Sequence, residues 1–373
     1  MNMAKGLKFD RNIPYNDLPA LPPTESIIDK EVLIKWGLAS RALAELNGNI
    51  MRIPNPLMLV NTISLQEAQS STAIENIFTT EDELYKAVSD TVKEEMANAA
   101  TKEVLRYREA LWGGYGTLVQ KKSFDKAVAI KIFQQIQRTK QGIRSPQSQV
   151  VIKKGQSEFK SGEIIYTPPR GTGIVENKID NLFSFLKDNH EFDPLLKMII
   201  GHYQFEAIHP FTDGNGRAGR ILNLLYLVDQ KLLSHPVLYL SKYIIKHKDD
   251  YYRHLSGVTQ RGAWKPYLMF MLNAVELTAK MTNQKIDEIL AQMESTYQYA
   301  SGKLKWYSYE LNQALFSQPY MKQKLVGDIT GARSRTTLTK YMYNLTALGL
   351  LSAHEEGREV YYINNDLIRI LQS

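Results

Sequence analysis

The chain has 373 residues, enough for two or three domains with a substantial core. Its 43% apolar and 23% charged content is that of a globular protein, and the absence of cysteine excludes disulfides and thiolate metal sites. A net charge of +7 suits nucleotides or nucleic acid as partners, yet no long single-sign tract forms a binding tail.

Met1 to Lys8 lacks an apolar signal core, and no later run approaches the ~18 apolar residues of a membrane span. The expectation is a cytoplasmic protein with no membrane partner. Residues 10–25 carry Pro14, Pro19, Pro22 and Pro23, which favour an extended arm over a helix. Residues 30–47 have the spacing of an amphipathic helix closed by Gly48. After Pro54 and Pro56, Ser64-Leu65-Gln66-Glu67 has the form of a capping box that starts a helix, with Asn76 as its left-handed stop. Glu75 then falls in the last turn, where a carboxylate meets the negative end of the dipole and needs a positive partner. Thr80-Glu81-Asp82-Glu83 is a second capping box, opening a helix toward residue 92. Helices are expected at 94–116 and 124–138. Gln149 to Lys153 and Glu163 to Tyr166 are short β-branched runs around a polar, Gly-containing turn, which predicts a hairpin ended by Pro168 and Pro169. Such a hairpin is marginal alone and needs a surface to pack on.

Helical spacing returns over 175–189, 194–208 and 216–230. Between the last two lies His209-Pro-Phe-Thr-Asp-Gly-Asn-Gly-Arg-Ala-Gly-Arg220. A loop there exposes backbone N–H groups at the start of the second helix, where anions are favoured. Gly214 and Gly216 let a phosphate approach the main chain. Arg217 and Arg220 sit on adjacent turns near the helix start. Asp213 offers a hard oxygen ligand for Mg²⁺, and His209 a general base. The implied chemistry is transfer from a nucleotide phosphate. A zinc triad of His202, His209 and Asp213 is the weaker reading, because the Gly-Asn-Gly-Arg loop suits phosphate.

Trp264 to about residue 296 reads as one long helix. Beyond it, short helices at 308–317 and 322–329, a third capped by Ser334, and strands around Glu355-Glu356-Gly357-Arg358 describe a winged helix-turn-helix. Arg333, Arg335 and Lys340 make the third helix basic. Residues 301–373 hold nine basic and six acidic residues, a modest excess for DNA. Protein docking or homodimer formation is the stronger expectation for 300–373, and DNA binding the weaker.

The stretch 209–220 resembles the Fic family signature, His-Pro-Phe-x-Asp/Glu-Gly-Asn-Gly-Arg-x-x-Arg, with every specified position present. The resemblance implies Mg²⁺-dependent transfer of AMP from ATP to a Ser, Thr or Tyr hydroxyl of a target protein. It implies His209 as the base that deprotonates this hydroxyl. Asp213 would hold the Mg²⁺ that bridges the α- and β-phosphates. Gly214, Asn215 and Gly216 would cradle the phosphates, with Arg217 on the β- and Arg220 on the γ-phosphate. Upstream, Ser71-Thr72-Ala73-Ile74-Glu75-Asn76 fits Ser/Thr-x-x-x-Glu-Gly/Asn, which in Fic proteins marks an inhibitory helix, here about 64–76. Glu75 would pair with Arg220 and occupy the γ-phosphate position. The hairpin, about 149–166, would be a flap whose Ile164, Ile165 and Tyr166 hold the target by strand addition. The segment with Tyr251 and Tyr252 resembles one that follows the Fic core, where a ring lies beside the adenine. Leu18 to Pro23 resembles the opening of the module that often precedes such cores.

The expected fold is mainly α. It comprises a helical module over 1–110, a Fic core over 111–295 and a winged helix over 300–373. One alternative is a DNA-binding regulator with the core as nucleotide sensor. Another is an enzyme that removes AMP or transfers a different phosphate-containing group.

Overall fold

The computed structural model describes residues 9–51, 53, 56–89, 95–121, 123–154, 162–188, 192–357 and 359–373. The proline-rich arm lies extended across the core and is tied by its backbone. Lys178 Nζ donates to Leu18 O at 2.7 Å and Gln204 Nε2 to Pro19 O at 2.8 Å. Asn181 both donates to and accepts from Leu21.

Helix α1 (Lys30–Met51) buries Val32, Ala39, Leu43 and Leu46 on one stripe. That stripe packs along the long helix Trp264–Ser301. Helix α2 spans Pro56–Ile74 and so begins eight residues before the expected capping box. A proline in the first turn costs no hydrogen bond, which favours the earlier start. Ser64, Gln66 and Glu67 are buried within the helix. Gln66 Nε2 donates to Leu371 O at 3.1 Å, and Glu67 accepts from Ser241 N at 2.8 Å. Tertiary partners thus claim the side chains that a cap would have used. The second box forms as expected at α3 (Glu81–Ser89). Thr80 N donates to Glu83 Oε2 at 3.3 Å, and Glu83 N donates to Thr80 Oγ1 at 3.2 Å.

Helix α4 (Ala99–Lys121) runs unbroken through residue 110, where a domain boundary was expected. Its apolar face, with Val104, Tyr107 and Leu111, is buried and it packs on α2, so the amino-terminal module and core share one helix. Helix α5 (Lys126–Gln137) is capped by Asp125, which accepts from Ala127 N at 3.0 Å. Strands β1 (Ile152–Lys154) and β2 (Glu163–Tyr166) pair antiparallel, with Lys153 opposite Ile164. The expected turn at 155–161 lies outside the described residues.

Helices α6 (Ile174–Lys187), α7 (Pro194–Ile208) and α8 (Asn215–Asp229) form the centre. The last two are buried on nearly every side, as core helices with little amphipathicity are. Then follow α9 (Leu240–Lys246), α10 (Lys248–Arg261) and α11 (Trp264–Ser301). No helix among the described residues is long and apolar enough to cross a membrane.

The carboxy-terminal unit contains α12 (Tyr309–Leu315), β3 (Tyr320–Met321), α13 (Gln323–Thr330), α14 (Arg335–Ala347), β4 (Ser352–Glu356), β5 (Glu359–Ile363) and α15 (Asn365–Gln372). Its antiparallel sheet runs β3-β5-β4. Ser334 holds the N-cap position of α14 but makes no capping hydrogen bond. Strand β3 and helix α15 were not anticipated. Helix α15 turns Leu367, Ile370 and Leu371 inward and packs on α11. Lys285 Nζ caps its end by donating to Ile370 O and Leu371 O at 2.8 and 2.9 Å.

Candidate active site

The loop between α7 and α8 is shaped by two left-handed residues, His209 at φ 51° and Gly214 at φ 71°. The first ends α7 and the second begins α8, so the chain reverses over five residues. Asn215 stitches this turn together. Its Oδ1 accepts from Phe211 N at 2.8 Å and its Nδ2 donates to Phe211 O at 2.9 Å. The Asn215 side chain is thus buried and engaged within the loop. Phe211 stacks on Phe133 at 4.2 Å, which pins the loop to α5. Arg144 fastens the other side. Its Nε donates to His209 O at 2.8 Å and its Nη2 to Ile208 O at 3.3 Å.

His209 is half-buried, with Nδ1 3.3 Å from Glu206 O. A carbonyl oxygen only accepts, so Nδ1 carries the proton and Nε2 keeps its lone pair. Loss of water pushes the imidazole down to about 4, and the Arg144 guanidinium adds to this against the raising effect of the Glu206 carbonyl. The ring is neutral at physiological pH and is ready to accept a proton.

Arg220 is among the most buried side chains in the protein. Its Nε donates to Ser71 Oγ at 2.7 Å, and its Nη2 donates to Ser71 O at 3.0 Å and to Glu75 Oε1 at 2.7 Å. Burial lowers its proton affinity, but the Glu75 carboxylate outweighs this and the guanidinium stays charged. Asn76 ends the preceding turn in the left-handed region at φ 62° and accepts from Lys248 Nζ at 2.8 Å. The two side chains close over Gly216, where a Cβ would meet Glu75 Oε1 and Arg220 Nη1. The Glu75 carboxylate thus lies against the first turn of α8, where an anion is favoured.

Arg217 is also buried and pairs with Glu103 of α4 through Nη1. Asp213 is exposed and accepts from Gln137 Nε2 at 3.0 Å and from Gly214 N at 2.7 Å. Among the described residues no three His, Cys, Asp or Glu converge to hold a metal. His202 in particular is deep in the core, with Nε2 2.7 Å from Tyr251 Oη.

A cavity of about 90 Å³ lies beneath the hairpin, lined by Ile165, Tyr166, Tyr203, Glu206 and Tyr252 among others. Of the two adjacent tyrosines, only Tyr252 lines it. Tyr251 is fully buried, with its hydroxyl 2.7 Å from His202 Nε2. Tyr166 is buried, donates Oη to Ala207 O at 2.8 Å and stacks on Phe9, so it anchors the hairpin. Ile164 and Ile165 remain half-buried. Sequence reasoning did not assign roles to Glu103, Arg144 or Glu206. Glu206 is half-buried, its carboxyl pushed up to about 7 by loss of water despite nearby Arg220, and it sits three residues before His209, one turn away on the same helix. That spacing was a usable signal. Glu103 had none, because it is 114 residues from Arg217.

The family description Fic/DOC family N-terminal matches residues 33–116, and Fic/DOC family matches residues 123–227. A third, the C-terminal domain of SoFic-like protein adenylyltransferase, matches residues 292–367. A protein adenylyltransferase Fic of Nematostella vectensis is 29% identical over 196 residues, 51% of this chain and 40% of that protein. One of Aedes aegypti is 29% identical over 167 residues, 43% of this chain and 30% of that protein. This chain therefore spans less than half the length of these relatives. The crystal structure of a Fic family protein from Desulfovibrio desulfuricans G20 superimposes with a TM-score of 0.57 at 18% identity. It covers 92% of this chain and 98% of that one, and the likeness is one of fold.

Proposed function

Because this chain belongs to the Fic/DOC family, we propose that it transfers AMP from ATP to a Ser, Thr or Tyr hydroxyl of a target protein. The observation that carries the reading is the joint placement of a neutral His209 and the guanidinium groups of Arg217 and Arg220 around the start of α8. The triphosphate lies along Gly214 to Arg217, where backbone N–H groups and the helix dipole favour anions. His209 Nε2 accepts the target's hydroxyl proton as the oxygen attacks the α-phosphate in line. The bond to pyrophosphate breaks, and Arg217 and Arg220 hold the departing charge. Positioning and electrostatic stabilisation supply most of the rate.

Asp213 suits Mg²⁺. It is a single exposed carboxylate whose oxygens retain lone pairs, and this ion binds through one or two carboxylates plus substrate phosphates. When bound, Mg²⁺ would neutralise charge on the α- and β-phosphates. The hairpin offers main-chain groups to an extended target segment. Glu75 is the brake in this reading. Its carboxylate takes the Arg220 edge that a γ-phosphate needs, and its withdrawal is the activating event. A need for ATP and a protein target agrees with a cytoplasmic address.

The test is Glu75→Gly protein incubated with ATP labelled at the α-phosphate, Mg²⁺ and cell lysate. Label retained on protein supports transfer. Label lost from pre-modified protein instead would indicate AMP removal. A second reading, a DNA-binding regulator with the core as sensor, rests on the exposed Arg333, Arg335 and Lys340 at α14. The neutral base His209 favours the enzyme, since a sensor needs no base.

A further inference from the structure

We propose that Glu103 is a positioning residue for the phosphate-binding edge of Arg217. The proposal rests on the nucleotide reading above and concerns a residue outside the 209–220 loop.

A guanidinium has one side-on fork, made by Nε–H and Nη2, that grips two phosphate or carboxylate oxygens at once. The two arginines of α8 use this fork differently. On Arg220 it is fully occupied by Ser71 and Glu75. On Arg217 it has no partner among the described residues: Nε is buried and unmatched, and the ion pair seen there is made by Nη1 at the other end of the group. Nη2 lies 3.7 Å from the point where a Cβ on Gly214 would stand, so the fork faces the glycine loop. An unpartnered donor in a side chain only 5% exposed is costly unless a ligand completes it.

Glu103 fixes this orientation. One of its oxygens takes Arg217 Nη1, and the other accepts from Arg106 Nη1 at 2.6 Å. It lies in the body of α4, a 23-residue helix with a buried face, whereas Glu75 lies in the turn just past the end of α2. The first carboxylate is therefore a fixed strut and the second a removable plug. Glu103 leaves the Arg217 fork open, so a phosphate need not displace it. A diphosphate or triphosphate engages the fork through its β-phosphate, and AMP has no such group.

The experiment measures direct binding of ATP, ADP and AMP to full-length Glu75→Gly protein, alone and combined with Glu103→Met or Glu103→Gln. Glu103→Met keeps the side chain's length and removes the acceptor. It should lower the ratio of ADP to AMP affinity by about tenfold, with AMP affinity unchanged. Glu103→Gln should lower the ratio by a smaller factor, about threefold, and decides the matter if the Met variant does not fold. Combined with Arg217→Ala, neither substitution should lower it further. An unchanged ratio overturns the proposal. So does tighter ADP binding, which would make Glu103 a second plug. A parallel loss for AMP would assign Glu103 to the fold alone and also overturn it. Failure of the Glu75→Gly protein to bind any nucleotide would instead remove the functional reading on which the proposal rests.

Discussion

Arg220 and Glu75, 145 residues apart, meet at 2.7 Å with the arginine almost wholly buried and the glutamate one-third exposed. The asymmetry has a consequence. Glu75 can withdraw toward solvent, whereas Arg220 cannot leave the site. Substituting either partner breaks the same pair, with opposite effects on activity. Glu75→Gly should raise AMP transfer by roughly 5–150-fold, the range of ordinary coupling between sites. Arg220→Ala should not, because it deletes the group that holds the leaving phosphates. Label transfer from ATP measured for both single variants and the double variant decides this. Equal activity of wild type and Glu75→Gly would sink the inhibitory role.

His209→Ala should abolish transfer and leave nucleotide affinity nearly intact. The base acts on the hydroxyl proton and not on ATP. A loss of ~10²–10⁴-fold is ordinary for such a group. Undiminished transfer by the alanine variant in the Glu75→Gly background would remove His209 from the mechanism.

The acid limb of His209 should lie low. Burial holds its imidazole at about 4 in the nucleotide-free protein, below the ordinary value of 6.5. The unfolded chain takes up that proton first, so the contribution of His209 to stability is lost as pH falls from 6.5 toward 4. His202, pushed down to about 3 by burial and by Arg220, acts in the same direction. Magnetic resonance titration of the His209 ring should show no midpoint between pH 5 and 8. A midpoint near 6.5 would contradict the half-buried, neutral base.

Glu67 should give the opposite slope. Burial raises its carboxyl to about 7, against the lowering effect of its bonds from Ser241. A folded value above the unfolded one means stability that is present at acid pH and lost as pH rises through 7. Glu67→Gln mimics the protonated form. Its amide can donate to Ser241 Oγ while its carbonyl accepts from Ser241 N, where the carboxylate now accepts both. The melting temperature of Glu67→Gln, relative to wild type, should rise between pH 5 and pH 8. A pH-independent difference would show that Glu67 is ionised throughout.

If the exposed cations of α14 meet DNA, binding by the full-length protein should fall steeply with salt, and Arg335→Ala should reduce the slope by about one. Salt-insensitive or absent binding would leave protein docking as the role of 300–373.

The sequence by itself determined the chemistry that is local in the chain. The twelve residues from His209 to Arg220 contain a base, a carboxylate and two arginines at spacings that a helix start must bring together. Asn76 and Thr80 to Glu83 likewise carried their own turn and cap, since these depend on φ angles and bonds within four residues. Only the tertiary structure decided what each group faces. Ser64 to Glu67 has the form of a cap, yet Leu371 and Ser241 claim its side chains from 305 and 174 residues away. Packing also sets the Asn215 side chain against Phe211 and the Tyr251 hydroxyl against His202. The two arginines look alike in sequence, yet one has its fork filled by Glu75 and the other has it held open by Glu103. Periodicity and capping fix a helix and its faces. Which remote carboxylate reaches a buried guanidinium is fixed by how the helices pack, because desolvation leaves each buried charge to find its partner among the groups that packing brings near.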